Sequence, residues 1–154
     1  VGFQTNLTYP EQKRVFSMIP GLEKARFVRY GLMHRNSYID APAALKEDLS
    51  LKNKENVFIA GQLSGVEGYV ESAAMGIIAG INSYRKLKEL PFIPLSRDSV
   101  TGALIDYICH ANEKNFAPMN ASWVLFPNSK KDRRQETIDK ALETIQSYWK
   151  NVNE

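Results

Sequence analysis

The chain has 154 residues, 44% hydrophobic and 24% charged, which suits one ordinary globular domain and excludes collagen, coiled-coil and disordered classes. Twenty Lys and Arg against seventeen Asp and Glu leave a formal charge of +3, shared almost evenly between the two halves, so composition does not announce a nucleic-acid binder. The longest nearly uninterrupted apolar run, Ala73 to Ile81, falls far short of the ~18 residues needed to span a bilayer, and the single Cys109 excludes an internal disulfide and suits a reducing cytoplasm. The start, Val1-Gly2-Phe3-Gln4, has no Met, basic start or signal region, so secretion is not expected and the chain reads as a piece of something longer.

Thr8, Pro10 and Glu11 predict a helix start, with the helix running from about 10 to 18, an apolar face of Val15, Met18 and Ile19, and Pro20-Gly21 ending it. Residues 26 to 39 mix aromatic and β-branched types with Arg29, Gly31, Arg35 and Asn36, predicting extended chain with a bend. Lys46 to Glu55 reads as a polar surface connection, delivering the chain into Asn56 to Ala60, a short apolar run that predicts a strand covered on both faces. A glycine-rich stretch, 61 to 72, leads into a helix reaching about Leu90, in which Ser72, Gly76 and Gly80 line one ridge four residues apart. Mid-helix glycine costs roughly 1 kcal/mol relative to Ala, so that ridge calls for a packing or ligand-approach reason. A second helix is predicted over Ser99 to Ala111, a strand over 121 to 126, and a last helix over about 132 to 151 whose stripe from Ile138 through Leu142 and Tyr148 to Val152 reads as core packing.

The segment Gly61-Gln62-Leu63-Ser64-Gly65-Val66-Glu67-Gly68-Tyr69-Val70-Glu71-Ser72 carries the most information. A glycine-rich turn between strand and helix leaves amides pointing at one spot, with the positive end of the helix dipole behind them, and lets backbone approach a flat ring. The alternative is a tight connection in which Glu67 and Glu71 favour the helix start. No G-x-G-x-x-G occurs, so the chain cannot hold a complete dinucleotide fold alone. Met33-His34-Arg35-Asn36 places an imidazole, a guanidinium and an amide in a row, suited to an anionic or heteroaromatic ligand or to the surface. Asn115 to Asn120 holds amides that either close turns or read the edge of a heterocycle. Cys109-His110 are helix neighbours diverging by about 100°, so a buried structural thiol is expected rather than a nucleophile with its base. Neither His34 nor His110 has an acidic pair at i, i+4 spacing, and no metal site is expected.

Taken together, Gly2-Phe3-Gln4-Thr5, Gln12-Lys13-Arg14-Val15-Phe16, Met18-Ile19-Pro20-Gly21-Leu22, Arg29 to Asn36, Ala60 to Ser72 and Asn115 to Asn120 resemble the flavoprotein family of MnmG and TrmFO, on the side of the folate- and FAD-dependent tRNA (uracil-5-)-methyltransferases. The resemblance runs from Val1 to about Pro127. It implies an α/β class: the C-terminal portion, several helices and short strands, of an FAD-binding domain of Rossmann-like, glutathione-reductase type, spanning 1–154 as one domain with 128–154 as its terminal helix. It further implies a cytoplasmic parent enzyme that takes a methylene group from 5,10-methylenetetrahydrofolate, uses FAD and NAD(P)H, and methylates C5 of a T-loop uridine in tRNA. The family's glycine fingerprint and catalytic cysteines lie upstream of anything matching Val1, so this piece has no catalytic residue of its own and is expected to be silent alone. By that resemblance Gly61, Gln62, Gly65, Val66, Glu67, Gly68, Tyr69 and Ser72 close the FAD site, with amides near Gly65 to Tyr69 facing the flavin, while His34, Arg35, Asn36 and Asn120 contact folate or RNA. Its partners are then tRNA and the missing N-terminal region of the same protein, with no membrane, and uncovered surface would let copies associate. Two alternatives stay open: a flavoenzyme of the same family acting on ribosomal RNA or wobble uridine, and a non-catalytic assembly module.

Overall fold

The computed structural model describes residues 4–31, 36–129 and 131–153, in two compact units, Val1–Asn36 and Ser37–Glu154. Among its described residues the first unit holds one helix, α1 (Tyr9–Phe16), with Thr8 at its N-cap and Pro10 in its first turn. The predicted start is therefore right, although the Thr8 hydroxyl makes no capping bond. The predicted apolar face is not what anchors the helix, since Met18 and Ile19 are exposed and the buried residue of α1 is Gln12. Its amide donates to the carbonyls of Leu7 (2.8 Å) and Gly31 (2.9 Å) and accepts from the Gly31 amide (2.8 Å). A buried primary amide has to satisfy both of its ends, and Gln12 does so by tying the two ends of this unit to the helix. Residues 26–31 run extended with a bend at Val28 and Arg29, as expected, and form no strand.

In the second unit, α2 (Ala41–Ala44) is followed by a hairpin of β1 (Ser50–Leu51) and β2 (Lys54–Phe58), antiparallel and bulged between Ser50 and Leu51. This corrects two expectations. The stretch 46–55 is no mere surface connection, because Leu49 and Ser50 are fully buried in it, and β2 is not covered on both faces, because its residues 54–56 are exposed. Leu49 takes a left-handed φ of 69°, a conformation that a leucine keeps only when its surroundings hold it there. Its side chain is in the core, its amide donates to Lys46 O and its carbonyl accepts from Ile59 N. Glu55 on β2 receives both Lys46 and Lys86, and these two ammonium groups draw its carboxyl down to about 2.

Helices α3 (Tyr69–Leu87) and α4 (Val100–His110) supply most of the core. Met75, Ile78, Ala79 and Asn82 repeat at helical spacing on the buried side of α3, against Leu104, Ile105 and Ile108 of α4 and Leu45 and Leu49 from the hairpin region. Burying one such side chain contributes roughly 1.5–3 kcal/mol. Ser99 caps α4 by accepting from Gly102 N at 3.0 Å. The predicted strand over 121–126 is instead one turn of 3-10 helix, Trp123–Leu125, for among the described residues no third strand offers a ladder that this segment could join. The last helix, α5 (Arg134–Asn153), buries only Tyr148 fully, and Ile138, Leu142 and Trp149 of the predicted core stripe are exposed. Among the described residues the structure is thus mixed and mainly helical, with one small two-stranded sheet.

Glycine packing in this framework sets opposite outcomes for one substitution. A β-carbon at Gly102 would stand 2.0 Å from Ser96 O, so Gly102→Ala should lower the stability of the chain in urea unfolding by about 1–3 kcal/mol or more. At Gly76 and Gly80 a β-carbon meets nothing within 4 Å, so Ala at either should raise stability by up to about 1 kcal/mol.

Candidate functional site

The glycine-rich segment folds as a 3-10 turn, Gly61–Ser64, a left-handed Gly65 (φ 94°), a short extended link and then α3, whose N-cap is Gly68. The turn closes on itself: Gly65 N donates to Gln62 O at 3.0 Å, Val66 N to Gly61 O at 3.2 Å and Ser64 Oγ to Gly61 O at 2.7 Å. It is also stitched to the segment after α4, where Met119 N donates to Gly65 O (2.9 Å) and Glu67 N to Met119 O (3.2 Å). Ser72 Oγ donates to Val66 O at 3.0 Å, tying the first turn of α3 back to the link.

Two glycines are required here by geometry. A β-carbon at residue 65 would lie 2.5 Å from the Phe116 ring, and one at residue 61 would lie 3.2 Å from Ser72 Cβ, with positive φ at both. Phe116 is held in turn by Tyr38, edge-on at 5.9 Å, and Tyr107 at 5.8 Å, and the Tyr107 hydroxyl donates to Ala117 O. The inner side of the turn is therefore filled by the protein's own rings. The outer side is open, with Gln62 and Glu67 exposed, Tyr69 95% exposed and Val70 80% exposed.

No side chain caps the N-terminus of the 19-residue α3 by hydrogen bonding. Its first amides lack helical partners and carry the positive end of the dipole. The carboxylate of Glu71 folds back over Gly68 and accepts from Ala121 N at 3.1 Å, so it flanks this terminus without closing it. Because the amides of Gly65, Val66 and Glu67 are engaged within the protein, the donors facing outward belong to the start of α3. The expectation that amides from Gly65 onward face a ligand narrows accordingly.

Of the eight residues expected around a cofactor, Gly61, Gln62, Gly65, Val66, Glu67 and Gly68 lie in the turn and its link and Tyr69 and Ser72 in the first turn of α3, and the Met119 pairing brings exposed Asn120 beside them. His34 and Arg35 lie outside the described residues, and Asn36 is exposed in the first unit. Sequence reasoning missed Phe116 as the packing partner of Gly65 and Glu71 as the link to Ala121. Only the first had a visible signal, an aromatic within a polar irregular stretch. Cys109 and His110 point to different partners, as expected: Sγ donates to Lys46 O at 3.4 Å, whereas the exposed imidazole meets Glu47 Oε1 at 3.3 Å and Asp106 Oδ1 at 3.2 Å, the latter a carboxylate at i, i+4 spacing that corrects the expectation that His110 has none. Burial, with the nearby Glu47 carboxylate adding to it, pushes the Cys109 thiol up to about 12. Among the described residues no group of three or more His, Cys, Asp or Glu could hold a metal, and no helix is long and apolar enough to cross a membrane.

Residues 1–91 match the family model described as glucose inhibited division protein A. Relatives named methylenetetrahydrofolate–tRNA-(uracil-5-)-methyltransferase TrmFO are similar over most of the chain. That of Desulforudis audaxviator is 60% identical over 127 residues, covering 82% of this chain and 29% of the relative. That of Desulforamulus reducens is 49% identical over 154 residues (96% and 35%), and that of Thermus thermophilus is 46% identical over 158 (99% and 36%). The chain spans about a third of the length of these curated relatives.

The raised thiol fixes the reactivity of Cys109. At pH 8 alkylation by iodoacetamide should proceed only as fast as the chain opens, at least a hundredfold slower than in urea, where a free thiol ionises near ~8.5. The sign for stability follows: the contribution of Cys109 is intact below pH ~8.5 and is lost as pH rises toward 12, so Cys109→Ala should flatten the alkaline fall in urea midpoint over that window.

Proposed function

Because this chain belongs to the glucose inhibited division protein A family, we propose that it is the carboxy-terminal part of a folate- and FAD-dependent tRNA (uracil-5-)-methyltransferase, and that its glycine turn forms one wall of the flavin site. The observation that carries this reading is the open outer face of the turn at the uncapped start of α3, set on a base locked by Phe116 and Met119. Such a face fits a flavin: amides and a helix dipole address the polar edge of a ring, and the exposed Tyr69 and Val70 offer apolar surface to its plane. Glu67 and Glu71 flank the same terminus, and their charge repels a pyrophosphate. The residues therefore suit the ring or the ribityl hydroxyls better than the phosphates.

In this reading Gln62, Glu67, Gly68 and Tyr69 face the cofactor while the buried Gly61, Gly65 and Val66, with Ser72 bonded to Val66 O, shape the turn behind them, and His34, Arg35, Asn36 and Asn120 receive folate or RNA. An imidazole stacks on a pterin, and a guanidinium pairs with a glutamate tail or a phosphate. FAD, reduced by NAD(P)H, supplies the means of passing the methylene group of 5,10-methylenetetrahydrofolate to uracil C5. What this chain adds is a rigid, water-excluding wall. Both units then belong to one FAD-binding domain of Rossmann-like type, and the exposed face of α3, with Gly76, Ile77, Gly80 and Tyr84, meets the amino-terminal part that the resemblance implies for the parent enzyme.

A chimera tests the proposal. This chain, exchanged for the corresponding third of the Desulforamulus reducens relative, should yield a yellow protein that methylates uridine C5 in an unmodified tRNA transcript, whereas Gly65→Val should lose flavin because the new side chain displaces Phe116. A well-folded, colourless chimera that only self-associates would instead favour an assembly module built on the exposed Ile138, Leu142 and Trp149 of α5.

A further inference from the structure

Charge is divided unequally between the two units. The first 36 residues hold six Lys and Arg against Glu11 and Glu23, a formal +4, while the other 118 hold fourteen against fifteen, a formal −1. The whole positive excess of the protein therefore belongs to its smallest compact part. Within it Arg14 pairs with Glu11 at 2.5 Å, but Lys13, Lys24, Arg26 and Arg29 are exposed and have no carboxylate partner among the described residues.

The same unit stacks its aromatic rings. Tyr9 lies on Tyr30 at 5.1 Å and 15°, Tyr30 on Phe27 at 5.8 Å and 16°, and Phe27 on Phe16 at 6.3 Å and 24°. The ladder runs between both ends of α1, with Lys13 four residues from Tyr9 on the same helix, and Arg26 and Arg29 flank Phe27 and Tyr30 along the extended strand of chain. One end of it, Tyr9, is half exposed. The Gln12 amide that joins Leu7, α1 and Gly31 keeps the rings in register.

We propose that the first unit binds RNA, with Tyr9 stacking on an unpaired base and the exposed Lys13, Lys24, Arg26 and Arg29 holding phosphates. Parallel rings interleaved with unpaired cations are what single-stranded and looped RNA requires, since a base offers a flat π-face and its backbone one charge per nucleotide. The inference rests on the reading that the enzyme acts on tRNA, and it names the surface that would hold that substrate.

The test measures binding of the full chain to a fluorescein-labelled, unmodified tRNA transcript. Between about 50 and 200 mM salt the affinity should fall steeply, and Lys24→Gln/Arg26→Gln/Arg29→Gln should flatten the log–log salt slope by roughly 2–3. Tyr9→Ala should weaken binding roughly tenfold, with Tyr9→Phe restoring it. Far-UV circular dichroism checks that each variant folds. Unchanged affinity and slope in the triple variant, while the chimera carrying the same changes still binds flavin and methylates, overturns the surface and leaves the uracil reading intact. A chimera that neither binds flavin nor methylates removes that reading instead, and with it the surface, unless the chain keeps its charge-dependent RNA affinity, which then supports the surface alone. Val28 and Met18 are exposed here too, so binding to phosphatidylserine vesicles without affinity for RNA also overturns the proposal.

Discussion

The ring of Phe116 occupies the space where a β-carbon on residue 65 would stand, and most of what the second unit presents outward depends on that contact. It lets the chain cross from the 3-10 turn to α3 in a left-handed step, brings Met119 into register with Val66, and leaves the start of α3 facing solvent on a fixed base. A side chain at 65 would have to expel the ring, and Tyr38 and Tyr107 would lose the neighbour they share. Glycine here is a packing requirement first, and only through packing a requirement of the site.

Helices α1, α3, α4 and α5 were legible because their signals are local, whereas the short α2 was not read. Ser99 caps α4, Pro10 opens α1, and the Met75–Asn82 spacing turns one side of α3 inward, each within a few residues of sequence. The hairpin was not legible, since it needs Leu49 in a left-handed conformation and a bulge after Ser50, both held by contacts with distant parts of the chain. Residues 121–126 alternate like a strand, yet alternation says which sides are apolar and not whether a partner strand exists. The apolar stripe of α5 has the period of a buried face, but only Tyr148 is covered, and periodicity alone cannot tell a filled face from a waiting one.

The site shows the same division. That the eight expected residues fall in one turn and the helix start beside it was legible because glycine spacing and the strand-turn-helix order are written consecutively. Which amides remain free was not, because that depends on Met119, fifty-two residues beyond Glu67. Charge was misleading for a related reason: cutting the sequence into halves mixes the basic first unit with the hairpin acids Glu47, Asp48 and Glu55, so the asymmetry emerges only when compactness draws the boundary after residue 36.

Electrostatics then separates two kinds of surface within a protein of nearly balanced total charge. Around the glycine turn the outward groups are Glu67, Glu71 and backbone amides, an environment whose carboxylates repel phosphate. In the first unit four exposed cations, Lys13, Lys24, Arg26 and Arg29, have no carboxylate partner among the described residues and accompany stacked rings, an environment that attracts phosphate and can stack a base. A net charge of +3 averages these away. The chemistry each surface can do follows from which unit carries the charge and from how many of its carriers remain without a partner.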